Sequence, residues 1–176
     1  MSYEYFASSL PLLRFGQKPP VASSEIAEKA EGVLGGEDLE ALRAVVGGGE
    51  SGHPFVAAWR DCLAEISNAV AKRRAARREK AAGKSAGAAA FAPKPTAGWH
   101  SEVESGVAAA YGEADPLRRH LALCRLKWDL AGELAGSDPF GADAVLAWAV
   151  RLLILEEMAA IDEKAGFAVF DSATRR

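Results

Sequence analysis

Five side chains in this 176-residue sequence could hold a metal or pair a thiol with a base: His53, His100, His120, Cys62 and Cys124. A structural zinc site calls for ligands in short paired spacings. The three histidines stand singly, and none is read as a ligand partner of Cys62 or Cys124. His100 could touch a metal together with Glu102 and Glu104, against the plainer reading of a solvated helix start. His53, just ahead of Pro54, reads as a turn residue. The two cysteines lie inside helical patterns and read as buried free thiols in a reducing compartment. Gly83-Lys84-Ser85 has the ending of a phosphate-binding loop, but that pattern needs glycine where Arg78 stands and a strand where the pattern is helical. No Ser or Cys lies in a nucleophile-elbow sequence. The expectation is a chain that is not an enzyme, with no catalytic residue, no cofactor, no metal and no small-molecule ligand; a pair assembled only by folding is invisible at this level.

Charge gives a stronger signal. Residues 72–84 hold seven basic side chains (Lys72, Arg73, Arg74, Arg77, Arg78, Lys80, Lys84) and a single acid, Glu79, while the remainder has 14 basic and 23 acidic residues. A basic stub on an acidic body is an electrostatic handle. It reads as a solvated helix end, as attraction to an acidic protein or membrane surface, or as nucleic-acid binding. Nucleic acid is the least favoured of the three, because no aromatic side chain is interleaved with the arginines.

The elements that must position these groups are helical. Ala144–Leu155 is apolar at nearly every azimuth of a helix and carries one charge, Arg151. Such a helix must be covered on all sides, and it falls short of the roughly 20 apolar residues a bilayer span needs. It reads as the central core helix, over roughly 139–165. A guanidinium within it calls for a facing carboxylate, Asp129 or Glu133, or for a partner contact. Cys124 and Trp128 fall on one of two apolar stripes of a helix begun by Asp115-Pro116. Before it, Val103, Val107 and Tyr111 follow Trp99 at helical spacing. His53-Pro54 opens a long helix with Phe55, Trp59, Cys62 and Ile66 on its stripe, whose basic end is expected to project into solvent. Two short helices precede it, the first capped by Ser23 or Ser24 and the second closed by Gly47-Gly48-Gly49. Prolines 11, 19 and 20 make residues 1–22 an irregular arm that packs along the body, and residues 83–98 a small-residue flexible linker. The reading is one all-α domain over 1–176, of about six helices, with no signal peptide and a cytoplasmic setting.

Two segments carry a resemblance. One is Tyr5-Phe6-Ala7-Ser8-Ser9-Leu10-Pro11-Leu12-Leu13 with Lys18-Pro19-Pro20; the other runs from Asp138-Pro139-Phe140 through Val145–Glu156 to Gly166-Phe167. Together they resemble a bacterial family of unknown function encoded among the subunits of V-type (V/A-type) ATPases. The core helix is also distantly similar to helices of the all-α socket protein that joins the central shaft of those motors to the membrane rotor ring. In that protein an apolar run carries a basic residue and then an acid, here Arg151 and Glu156. The resemblance implies a non-catalytic helical subunit or assembly factor, in the manner of a coupling element of the central stalk. Its partners would be the central stalk or rotor ring, peripheral to the membrane, with Arg73, Arg74, Arg77, Arg78, Lys80, Arg151 and Glu156 as interaction residues. The other reading is a stand-alone adaptor that takes nucleic acid or an acidic partner on 72–84.

Overall fold

The computed structural model describes residues 3–82, 93–98 and 100–161; the Gly83-Lys84-Ser85 fragment, Trp99, the tail around Gly166 to Phe170, and the side chain of Lys80 lie outside the described residues. Among these residues there are seven α-helices and no strand: α1 (Tyr3–Ser9), α2 (Ser23–Ala30), α3 (Gly36–Gly47), α4 (Pro54–Ala82), α5 (Ser101–Gly112), α6 (Pro116–Leu134) and α7 (Ala142–Ala159). The fold is all-α. None of these helices is long and apolar enough to cross a membrane.

Helix α7 is covered as its composition demands. Val145, Leu146, Ala147, Ala149, Val150, Leu152, Ile154 and Leu155 are all buried, against α6, α3 and α2. Its fourth side meets the N-terminal segment, where the Trp148 indole N–H donates to the Pro11 carbonyl at 2.8 Å. A second core links α4, α5 and α6 through Cys62, Ile66, Val103, Val107 and Leu130. Helix α6 serves both cores, as its two apolar stripes require.

Helix ends explain most departures from the sequence reading. The arm begins with a helix rather than irregular chain, because Pro11 forbids helix only from the residue before it and leaves Tyr3–Ser9 free to wind. Neither serine caps α2. Its N-cap is Ala22, and the missing acceptor comes from α7: Glu156 Oε1 takes the Ser23 backbone N–H and Oε2 takes the Ser23 hydroxyl, both at 2.7 Å. Helix α7 starts at Ala142, later than Asp138-Pro139, since Asp138 closes a turn on the Phe140 N–H at 3.0 Å instead of capping the helix. Asp115 caps α6 as expected, at 2.9 Å to the Leu117 N–H. His53 is buried and caps α4, its Nδ1 accepting the Phe55 N–H at 3.2 Å while Nε2 faces Asp38. Gly48 closes α3 at φ 71°, where a Cβ would be strained.

Arg151 has no carboxylate at ion-pair distance among the described residues. Its Nε donates to the Trp128 carbonyl at 3.2 Å and its guanidinium lies 5.0 Å from the centre of the Trp128 ring. Asp129 instead accepts from Arg125 at 3.0 Å and favours the Arg151 charge only through space, against the burial that lowers its pKa. The half-buried side chain lies across Gly132, where an added Cβ would collide with its terminal nitrogen. A carbonyl, an indole face and a vacant Cβ position replace the expected salt bridge.

Two outcomes follow for chemical denaturation. Gly132→Ala should push the Arg151 guanidinium off its seat and be about 0.5–1.5 kcal/mol less favourable with Arg151 present than in an Arg151→Ala background, where the helix preference of alanine makes it neutral or stabilising; a double-mutant cycle reads that difference directly. Glu156→Ala should cost about 1–2 kcal/mol through the unsatisfied start of α2, and Glu156→Gln roughly half of that.

Candidate anion-binding site

Arg74, Arg77 and Arg78 are three and four residues apart, so one face of the last described turns of α4 carries all three. That face does not project into solvent alone. Helix α5 runs beside it with Tyr111 in its last turn, and Arg118-Arg119-His120 stand in the first turns of α6. The result is a cleft of about 550 Å³ lined by Arg74, Arg77, Arg78, Tyr111, Arg119 and His120. Arg73 lines an adjoining hollow with Arg77, Tyr111 and Arg119.

Tyr111 organises the cations. Its hydroxyl accepts from Arg74 Nε at 3.0 Å, and the Arg119 guanidinium sits 5.2 Å from the ring centre. Arg119 also donates to the Glu113 carbonyl at 2.8 Å, while its Nε is buried with no hydrogen-bond partner. On another face of α4, Lys72 donates to Glu104 at 3.0 Å, a bond that holds the Glu104 carboxyl below its ordinary range. No carboxylate lines the main cleft among the described residues. Several guanidinium forks around one aromatic ring can take a phosphate or carboxylate group in bidentate fashion.

Of the residues singled out in the sequence, Arg73, Arg74, Arg77 and Arg78 are brought together here, and Arg151 and Glu156 are not. Both of those are engaged within the fold, on α6 and α2. The sequence reading missed Tyr111, Arg119 and His120. The available signal was a second basic run, Arg118-Arg119-His120, opening a capped helix, and the aromatic absent from the basic segment is supplied by α5. At the edge of this region, His120 lies one helical turn before Cys124, with its Nε2 at 3.3 Å from the thiol sulfur.

His100, Glu102 and Glu104 form no metal-holding cluster among the described residues, and Glu104 pairs with Lys72. His100 instead stands between a thiol and a carboxylate: Cys62 Sγ at 3.9 Å from Nε2, and Glu65 Oε2 at 3.2 Å from Nδ1. The order is that of a thiol nucleophile, base and orienting acid, yet Cys62 is fully buried and its thiol is pushed up to about 11, first by burial and then by Glu65. Reactive cysteines are shifted the other way. Glu65 Oε2 also accepts the His100 backbone N–H at 2.9 Å, so the carboxylate caps α5 from α4. Residues 93–98 run along the same helix, with Asn68 bonded to the Lys94 N–H and carbonyl at 2.8 and 2.9 Å.

Comparison with protein-family models, with curated proteins and with solved structures finds no match.

Both thiols titrate at about 11 in the fold against 9.0 for the free side chain, burial being the main cause in each. The unfolded chain therefore loses these protons first. Their contribution to stability is complete below pH 9.0 and declines toward about 11. Denaturation across that window should show a shallower decline for Cys62→Ala/Cys124→Ala than for the parent, and equal slopes would refute the assignment.

Proposed function

We propose that this chain is a non-catalytic helical subunit or assembly factor of a bacterial V-type ATPase. In this reading it grips an acidic surface of a motor subunit in the arginine cleft between α4, α5 and α6. The observation that carries the docking role is the cleft itself: Arg74, Arg77, Arg78 and Arg119 gathered around Tyr111 on a chain whose net charge is −3. Exposed arginines on one helix are worth little to stability, so their convergence is best accounted for by an anionic occupant. The V-type ATPase as partner rests on the resemblance of the two terminal segments. They pack on each other here, through Trp148 and Pro11. A stiff helical body that presents a charged cleft suits a mechanical element of the central stalk or rotor ring.

A second reading draws on Tyr111. An aromatic ring beside guanidinium groups also suits a stand-alone adaptor that holds nucleic acid, where bases stack on aromatic faces.

One set of variants separates the two. Arg74→Glu/Arg77→Glu/Arg78→Glu should leave the helical circular dichroism signal unchanged and reduce co-purification of motor subunits with tagged protein at least about tenfold, the weight of a single charge-assisted bond of roughly 1.5 kcal/mol. Recovery of intact ATPase without the chain from growing cells removes a stoichiometric subunit role. Steeply salt-dependent DNA binding that the same substitutions abolish favours the adaptor.

A further inference from the structure

We propose that His120, Cys124 and Glu157 form a binding site for a divalent transition-metal ion of the zinc class. His120 and Cys124 are one turn apart on α6, and Glu157 reaches them from the last turns of α7. His120 Nε2 is 3.3 Å from Cys124 Sγ and 3.8 Å from Glu157 Oε1, and the three ligand atoms all lie within 4.8 Å of one another. Zinc at its usual distances of about 2.0–2.3 Å from nitrogen, oxygen and sulfur has tetrahedral ligand edges of roughly 3.3–3.6 Å. The two edges at His120 are within about 0.5 Å of these values, and the third, from Cys124 to Glu157, is within 4.8 Å and closes by rotation of the Glu157 side chain.

The plainer account has the Cys124 thiol donating to the imidazole and Glu157 serving as counter-ion to Lys127. Those contacts are compatible with a metal. Lys127 Nζ is 3.1 Å from Oε2 and 3.3 Å from Oε1 of Glu157, so Oε2 can keep the ammonium while Oε1 turns to the ion. Cys124 is fully buried, whereas His120 and Glu157 are partly open, which gives an ion a route in and a closed floor. A thiolate with an imidazole and one carboxylate oxygen is a donor set for zinc or cobalt rather than magnesium or calcium. On binding, the Cys124 sulfur gives up its proton to solvent and supplies the electron pair to the metal, and the two ligand anions balance the dication. Three protein ligands leave a fourth coordination position open.

The site shares His120 with the edge of the arginine cleft, but its cobalt readout does not depend on the docking reading. The full-length protein, titrated with cobalt(II), should develop a thiolate-to-metal charge-transfer band and the visible bands of tetrahedral cobalt, which stoichiometric zinc then bleaches. His120→Ala and Glu157→Ala lie at partly exposed positions that leave the core intact. Each should weaken binding at least about tenfold, on the scale known for altered metal environments. Cys124→Ser should remove the charge-transfer band, and Cys62→Ser should change nothing. No band in the parent protein, a band that forms with unchanged affinity in His120→Ala, or one that disappears with Cys62→Ser would overturn the assignment.

Discussion

Helix α7 has no face it can leave to water, and the rest of the chain is disposed to meet that demand. Each fully buried Leu, Ile or Val on it is worth about 1.5–3 kcal/mol, above the roughly 0.5–1.5 kcal/mol of an ordinary neutral hydrogen bond. Leu146, Leu152 and Leu155 are among its buried residues and decide that α7 is central. They do not decide which helix lies on which side, because one apolar surface will accept several partners. That choice falls to the half-buried polar groups at its margin: Trp148 toward the N-terminal segment, Arg151 toward α6 and Glu156 toward α2.

Two helices without a side-chain cap of their own, α2 and α5, borrow a carboxylate from a neighbour. Glu156 on α7 satisfies the start of α2, and Glu65 on α4 satisfies the start of α5. A backbone N–H left unmet in a partly buried helix start costs about 1–3 kcal/mol, enough to fix where one helix begins relative to another. The same two helices thereby bring functional groups into place. Once α5 is anchored along α4, Tyr111 at its far end is delivered among the arginines of α4. The cleft depends on that anchoring.

The apolar pattern alone reveals most of this architecture. The all-round apolarity of Ala144–Leu155 and the twin stripes of α6 place both helices correctly, and Asp115-Pro116 and His53-Pro54 mark true starts. What stays hidden has a common cause. Glu156 and Ser23 are 133 positions apart, and His100 and Glu65 are 35, so no local pattern announces their bonds. Ser23 and Asp138 carry cap-forming side chains that the fold spends elsewhere. Of the cleft, the three arginines of α4 stand in one basic run of the sequence, while Tyr111, Arg119 and His120 come from other helices. His120 and Cys124 were separated by one helical turn in plain sight, but their third companion, Glu157, belongs to a different helix.

The seat of Arg151 binds the histories of two positions together. Residue 132 can be glycine or residue 151 can be short, but a methyl group at 132 and a guanidinium at 151 cannot share the same space. The constraint runs one way: residue 151 can shorten while 132 stays glycine, but a side chain at 132 has room only once the guanidinium has left its seat. Chains with alanine at the first position are expected to have given up arginine at the second.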